Sequence, residues 1–331
     1  MRDRIDAAVI GLGWWGNELA EAIQSVDRLH LALGVSPVAA EREAFAERFG
    51  CAVAPDLSGA LMDREIDAVL LATPHSQHAD QVTATAAAGK HVFVEKPFTL
   101  TVESGLAAAA ACSEAGVTLA VGHNRRLSAA AKRLKALHES GALGTVLHLE
   151  GHFSSPSALR YTPDMWRAQR SEAPGGGLVS MGLHIVDTIQ WLFGPIVRTS
   201  CLTRRVAAPV DIDDVTTALF QFESGLTATL TSIFSTTLTA WLRVSTTNGV
   251  FVAGNDFTEL THRPIGDEPF PVPLTKTETV VEELRHFSAA VAGQGSVAVR
   301  SEDAIRNISV LEAMMSSAAN NGAWQLVKQM A

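Results

Sequence analysis

Lys96 lies in Glu95-Lys96-Pro97, at the end of the apolar run His91-Val92-Phe93-Val94. A lysine amine can take a proton from an alcohol, or return one to a carbonyl, once its pKa is drawn down toward neutrality. Pro97 keeps Lys96 out of the helical region, and an X-Pro bond is the one peptide that tolerates the cis form. Placed in a cleft, the amine would have its pKa lowered by burial. On these three residues alone, a surface lysine in a loop is the simpler reading. His184 and Asp187 form a second pair. Three apart on a helix, they share a face. The imidazole exchanges protons near neutral pH, and a carboxylate can orient it. The same spacing serves equally a core histidine beside a structural aspartate.

What must position Lys96 is legible at the N-terminus. Ala7-Ala8-Val9-Ile10 reads as a buried strand, Gly11-Leu12-Gly13-Trp14-Trp15-Gly16 as a turn, and Asn17 to about Val26 as a helix. Gly11, Gly13 and Gly16 match G-x-G-x-x-G in the strand–turn–helix context that motif needs for dinucleotide binding. The first glycine permits the turn, the second lets a pyrophosphate approach, and the third lets helix and strand pack closely. The helix N-terminus offers N–H groups and partial positive charge to phosphates. Trp14 and Trp15 stand where the cofactor would pass. A bare strand–helix turn is the alternative. Beside a bound nicotinamide, the ring's positive charge would depress the Lys96 pKa further.

The second strand, His30–Val35, ends at Ser36, 20 residues after Gly16. An NAD site usually carries Asp or Glu there for the ribose 2′-hydroxyl. Serine removes the repulsion that excludes a 2′-phosphate and can donate a hydrogen bond to one. Arg42 is the nearest guanidinium. The balance leans to NADP, with NAD left open, and Ser36 also reads simply as a strand-end residue.

Strands and helices then alternate. Helix 39–49 is followed by strand Asp67–Ala72, and the loop Thr73-Pro74-His75-Ser76-Gln77-His78 leads into a helix closed by Gly89. After the Lys96 strand come a helix capped by Thr101 and the strand Thr118–Gly122. This alternation predicts a doubly wound parallel sheet, an N-terminal Rossmann domain over 1–124. Beyond it, Leu127–Glu139 reads as a helix. Runs 145–154, 196–206, 215–222, 226–234, 240–245 and 250–253 read as strands, with a hairpin turn at Glu223-Ser224-Gly225. They predict a C-terminal α+β domain over 125–331 with a large, mainly antiparallel sheet, closed by helices 278–291 and 301–319. The long segment from Tyr161 through Trp166 and Arg167 to the glycines 175–177 reads as functional by its length. Tyr161, Trp166, Arg167, Asn124 and Asp187 are candidate substrate contacts. Asp211, Asp213 and Asp214 read as a solvated turn, and 264–273 as a loop.

With 331 residues and 47% hydrophobic content, the chain can build two cores. A net charge of −9 opposes nucleic-acid and anionic-membrane partners. Cys51, Cys112 and Cys201 are scattered, with no C-x-x-C and no metal-ligand spacing. They read as reduced thiols. No apolar segment of signal or membrane-spanning length occurs, so a cytoplasmic protein is expected.

The chain resembles the glucose–fructose oxidoreductase and inositol dehydrogenase family (Gfo/Idh/MocA). The resemblance is carried by Gly11-Leu12-Gly13-Trp14-Trp15-Gly16, by Ala72-Thr73-Pro74 with His78, and by Gly89-Lys90-His91-Val92-Phe93-Val94-Glu95-Lys96-Pro97, in order and at family spacing. It continues through Gly182, His184 and Asp187, a Gly-x-His-x-x-Asp after a glycine-rich turn. It implies a catalytic role for Lys96 and a catalytic or substrate-binding role for His184. It also implies a loop of Thr73, Pro74, His75 and His78 against the cofactor, and Glu95, Lys96 and Pro97 beside it. The implied activity is NAD(P)-dependent hydride transfer on a sugar, cyclitol or similar diol. Ser180 stands where many of the family's sugar and cyclitol dehydrogenases carry Asp, so their Lys–Asp–His arrangement is incomplete here. NAD-dependent glycoside cleavage on the same fold and a non-catalytic dinucleotide sensor are the competing functions. The resemblance further implies a homodimer or homotetramer paired through the C-terminal sheet.

Overall fold

The computed structural model describes residues 4–329. Met1–Asp3, on which part of the N-terminal reading rests, and residues 330–331 lie outside them. The described chain forms two compact units, the first holding residues up to Asn124 together with Glu278–Ile305, the second Arg125–Thr277 and residues from Arg306 onward.

The first unit begins with β1 (Ile5–Ile10), buried throughout. α1 (Trp14–Ile23), β2 (Leu29–Val35), α2 (Ala39–Phe49), β3 (Ala52–Ala54), α3 (Leu57–Met62), β4 (Ala68–Leu71), α4 (His78–Ala87), β5 (His91–Glu95), α5 (Val102–Glu114) and β6 (Leu119–Gly122) follow. The strands form one six-stranded sheet, ordered β3-β2-β1-β4-β5-β6, with every pair parallel. This is the doubly wound order, whose direction reverses between β1 and β4. Strands covered on both faces must be apolar on both, which is why β4 is apolar throughout and β1 and β5 carry the apolar runs Ala7–Ile10 and Val92–Val94. Helix ends follow local chemistry. Thr101 accepts from the Ser104 N–H to start α5, and Gly50 closes α2 in the left-handed conformation at φ 67°. α1 starts at Trp14, three residues before the sequence reading. β3 and α3 were not anticipated, being too short to show a period.

In the second unit, Ser128 caps α6 (Ala129–Glu139). β7 (Val146–Ser154), α7 (Leu183–Phe193), β8 (Ile196–Arg204), β9 (Val215–Phe222), β10 (Thr227–Ile233), β11 (Thr239–Thr246), β12 (Gly249–Gly254), β13 (Glu259–Arg263) and β14 (Phe270–Pro271) follow. Burial alternates strictly along β9 to β12. Ala218, Phe220, Leu230, Leu242, Val244 and Phe251 enter the core, while Leu219, Thr229, Trp241 and Val252 occupy the outer face. Among the described residues, only β7 and β10 pair in parallel within this sheet. β14 lies within 264–273, read from sequence as a loop.

The chain then returns to the first unit with α8 (Thr279–Val291), and α9 (Ser301–Ala319) runs from the first unit into the second. β15 (Gln325–Leu326) pairs with β8 and completes a nine-stranded sheet. The single division at 124/125 is therefore corrected, because residues 278–305 belong with the N-terminal sheet. The cause is packing. Leu284 and Phe287 of α8 are fully buried in the first core, and the Phe287 ring meets Phe93 of β5 edge-on at 5.8 Å.

Candidate active site

β1 delivers Gly11 to the sheet's carboxyl edge, beside β4. Gly11 has φ +90°, and a Cβ there would stand 2.6 Å from the Ala72 carbonyl oxygen. A Cβ on Gly16 would stand 1.9 Å from the Gly11 carbonyl oxygen. Both positions are closed to any side chain. Gly13 is the opposite case, with nothing within 4 Å of its Cβ position. It is the N-cap of α1 and makes no side-chain cap bond. Helix N–H groups there face open space from which a side chain is missing, which is the cradle a pyrophosphate needs. The residues present therefore fit a dinucleotide. Trp14 is 72% exposed. Trp15 is half-buried against the first core and meets the Trp14 ring edge-on at 5.1 Å.

The loop after β4 and the turn after β5 are joined by His78, which is fully buried. Its Nδ1 donates to the Pro97 carbonyl oxygen at 2.8 Å, and its Nε2 lies 3.1 Å from the Thr73 carbonyl oxygen. His75, also buried, meets His78 edge-on at 5.9 Å. Thr73 Oγ1 donates to Gln81 at 2.6 Å, and Pro74 opens the short turn His75–Gln77. The Lys96–Pro97 peptide is cis. The Lys96 N–H donates to a Glu95 carboxylate oxygen at 3.2 Å. Glu95 is buried over Gly122, whose Cβ would stand 2.6 Å from Glu95 Oε1. Lys96 is thus held on both sides by buried partners, at the same sheet edge as Gly11 and Thr73, and is itself half-buried.

Ser36 ends β2 and is buried. Its hydroxyl accepts from the Val38 N–H at 3.1 Å and donates to the Glu41 carboxylate. Arg42 Nη1 donates to the Ser36 carbonyl oxygen at 2.7 Å. Asn124 is buried and donates to Thr279 Oγ1 at 2.9 Å, joining the end of β6 to the start of α8.

In the second unit, the glycines 175–177 lead into a single π-helical turn, Leu178–Gly182, which carries Ser180 and continues as α7. A Cβ on Gly176, at φ +56°, would lie 1.5 Å from the Asp213 carbonyl oxygen, so only glycine fits this entry. π-Turns widen a helix and recur at functional sites. His184 is buried on the first turn of α7, its ring 6.2 Å from Phe153. Asp187, one turn on and fully buried, receives Arg126 Nε and Nη2, both at 2.7 Å, and Asn307 Nδ2 at 2.6 Å. Gln190 donates to Asn307 at 2.8 Å. The Tyr161 ring meets Phe234 edge-on at 5.5 Å, and burial pushes its phenol pKa up. The Arg167 guanidinium lies 4.0 Å over the Trp166 ring, at the exposed end of that loop.

Three contributors escaped the sequence reading: Glu41, Arg126 and Asn307. Glu41 had a signal, an acid near a serine-ended β2. Arg126 and Asn307 had none, standing 61 and 120 residues from Asp187. Asp214 departs from its reading as part of a solvated turn. It is fully buried and accepts from the N–H groups of Val206, Ala207 and Ala208 at 2.6, 2.8 and 2.9 Å. Asp211 and Asp213 pair with Arg170 at the surface. Cys51, Cys112 and Cys201 are free thiols. Burial pushes the Cys112 and Cys201 thiols up to about 11 and about 12. A hollow of about 680 Å³ opens on the outer sheet face, lined by Trp241, Arg243, Val252, Asp256 and Arg263 among others. It includes neither His184 nor Tyr161.

The doubly wound sheet, its glycine cradle and the lysine at its carboxyl edge define a nicotinamide-dinucleotide oxidoreductase. The chain belongs to the Gfo/Idh/MocA family. The model of the oxidoreductase family with NAD-binding Rossmann fold matches residues 5–123, and the model of the family's C-terminal domain matches residues 131–252. An uncharacterized oxidoreductase of Streptococcus pneumoniae is 32% identical over 196 residues, 59% of this chain and 52% of that protein. The scyllo-inositol 2-dehydrogenase (NAD(+)) of Bacillus subtilis is 28% identical over 98% of this chain and 97% of its own. Among solved structures, levoglucosan dehydrogenase in complex with NADH superposes with a TM-score of 0.90 at 23% identity, covering 99% of this chain and all of that one. This likeness shows the fold. Among the described residues, no helix is long and apolar enough to cross a membrane.

Proposed function

We propose that this chain interconverts a carbinol and a carbonyl on a sugar, a cyclitol or a similar cyclic diol. The dinucleotide supplies or accepts the hydride at the nicotinamide ring. The chain's own residues do the rest. In the oxidation direction, the Lys96 amine takes the hydroxyl proton as the C–H hydride leaves the same carbon. In reduction it returns that proton to the carbonyl oxygen. Gly11, Leu12, Gly13, Trp14, Trp15 and Gly16 carry the pyrophosphate side of the dinucleotide. Thr73, Pro74 and His75 line its nicotinamide side, while His78, Glu95 and Pro97 hold Lys96 in place.

His184 assists as a hydrogen-bond partner or second proton carrier, and Ser180 contributes a hydroxyl where an acid would carry charge. Tyr161, Trp166 and Arg167 contact substrate. Asn124 and Asp187, both held in internal hydrogen bonds, serve as supports in this reading. The near full-length similarity to an inositol dehydrogenase favours a polyhydroxylated ring as substrate. We further propose a homodimer or homotetramer in the cytoplasm, paired through the outer face of the nine-stranded sheet, where Leu219, Trp241 and Val252 are incompletely buried.

The observation that carries the catalytic reading is the double hold on Lys96, through Glu95 on one side and through His78 and Pro97 on the other. The test is turnover on a panel of sugars and cyclitols with NAD and NADP, repeated with Lys96→Met. A loss of kcat of about 10²–10⁴ with dinucleotide binding retained is expected, and full turnover in Lys96→Met would reject the role. Cofactor that co-purifies and cycles without net reduction would move the assignment to glycoside cleavage. Light scattering reads the assembly, and a monomer would contradict the proposed pairing.

A further inference from the structure

We infer that Glu41, rather than the strand-end residue, selects the dinucleotide, and that it selects NAD over NADP. The inference rests on the dinucleotide reading of Gly11–Gly16. In a doubly wound sheet, the end of the second strand meets the adenosine ribose, and a carboxylate there accepts from the ribose hydroxyls while repelling a 2′-phosphate. β2 ends without one. From sequence, Ser36 left that place open to a phosphate, because its hydroxyl had a proton to donate.

The structure shows where that proton goes. The Ser36 hydroxyl has one hydrogen, and it is donated to the Glu41 carboxylate. One of its lone pairs takes the Val38 N–H at 3.1 Å. The serine therefore has no donor left for a phosphate. What it does instead is fasten a carboxylate from the first turn of α2 to the end of β2. Glu41 stands five residues beyond the usual acidic position in sequence, and this bond returns its charge to that position. It is half-buried, so solvent screens its charge less than it would a fully exposed one.

Arg42 is the group that would argue for NADP. Its Nη1 donates to the Ser36 carbonyl oxygen at 2.7 Å. That contact ties the guanidinium to the backbone of the strand end, while a 2′-phosphate calls for a guanidinium fork facing it. A phosphate brought there would meet the Glu41 carboxylate, and a 2′-hydroxyl would find in it a good acceptor.

The experiment is a fluorescence titration of the intact protein with NADH and with NADPH, which needs no substrate and no turnover. The wild-type protein is expected to bind NADH about tenfold tighter or more, equivalent to at least 1.4 kcal/mol. Glu41→Gln should bring the two affinities within about threefold, chiefly by tightening NADPH, and raising the salt concentration should narrow the wild-type gap. Because Glu41 also faces the α2 N-terminus, circular dichroism must show Glu41→Gln folded. The double variant Ser36→Asp/Glu41→Gln supplies the second check, since an acid restored at the strand end should return the NADH preference. Equal or tighter NADPH binding by the wild type, or an unchanged ratio in Glu41→Gln, would overturn the inference. A folded wild-type protein that binds neither dinucleotide would overturn the reading of Gly11–Gly16 and this assignment with it.

Discussion

The Nδ1 of His78 donates to the carbonyl oxygen of Pro97 at 2.8 Å, so a fully buried imidazole fixes the residue that follows Lys96. Its other nitrogen faces the carbonyl oxygen of Thr73 at 3.1 Å. Two loops of the sheet's carboxyl edge are thereby joined through one ring. His78→Ala would leave the buried Pro97 carbonyl without its donor, at a cost of about 1–3 kcal/mol. Under the proposed role of Lys96, the ring acts by positioning it, so kcat should fall by about tenfold or more while the NADH dissociation constant changes far less. Steady-state kinetics beside a binding titration separates the two. Equal loss in both would mean that the ring supports the cofactor instead.

Gly16→Ala and Gly13→Ala should fail in different ways. The Gly16 Cβ would lie 1.9 Å from a backbone oxygen, so that variant must move α1 off the sheet and should be unstable. The Gly13 Cβ meets nothing within 4 Å, and its φ of −67° suits alanine. Gly13→Ala should therefore melt within a few degrees of wild type yet bind NADH at least about tenfold more weakly, since the methyl fills the pyrophosphate's space. Unimpaired binding in a folded Gly13→Ala protein would argue against the cradle.

Asp187 gives a prediction about stability. Removing one member of a buried ion pair strands the other charge and costs about 3–5 kcal/mol, so Asp187→Ala should unfold at markedly lower urea. A substrate contact would behave otherwise, with a raised KM and an unchanged unfolding midpoint. The Arg126 and Asn307 bonds favour the first outcome.

Asp214 should shape the acid limb of stability. Burial pushes its carboxyl up, but the N–H groups of Val206, Ala207 and Ala208, with the Ser235 hydroxyl, outweigh burial and hold its pKa below the ordinary carboxylate range. A group whose folded pKa is depressed stabilises the fold above its unfolded value, about 3.9. That contribution disappears as pH falls through the folded value. Asp214→Asn should therefore lower stability at pH 7 by about 1.5–3 kcal/mol and by progressively less below pH 4. A constant difference across that range would assign the loss to geometry rather than charge.

Features that depend on neighbouring residues were legible in the sequence. The glycine motif, the apolar parallel strands and the proline-braced Lys96 each carry their physics within a few positions. Alternation likewise foretold the antiparallel sheet. What escaped depends on partners distant along the chain. The apolar stripe of α8 announces a buried face but not which core receives Phe287. Ser36 looked open to phosphate because the claim on its proton comes from the next helix. Asp214 looked solvated because the N–H groups that satisfy it belong to a turn six to eight residues earlier. β13, β14 and β15 are too short, or too irregular, to show a period.

The return of residues 278–305 to the first unit has a consequence for biosynthesis. Residues up to Asn124 leave the ribosome well before the side chains that close their core, Leu284 and Phe287, are translated. At about 5–20 residues per second, the nascent sheet waits on the order of ten seconds or more with that apolar face open. A fragment cut after Asn124 would keep it open permanently, so the dinucleotide-binding half should aggregate when produced alone. Grafting residues 278–305 behind it would supply the missing cover.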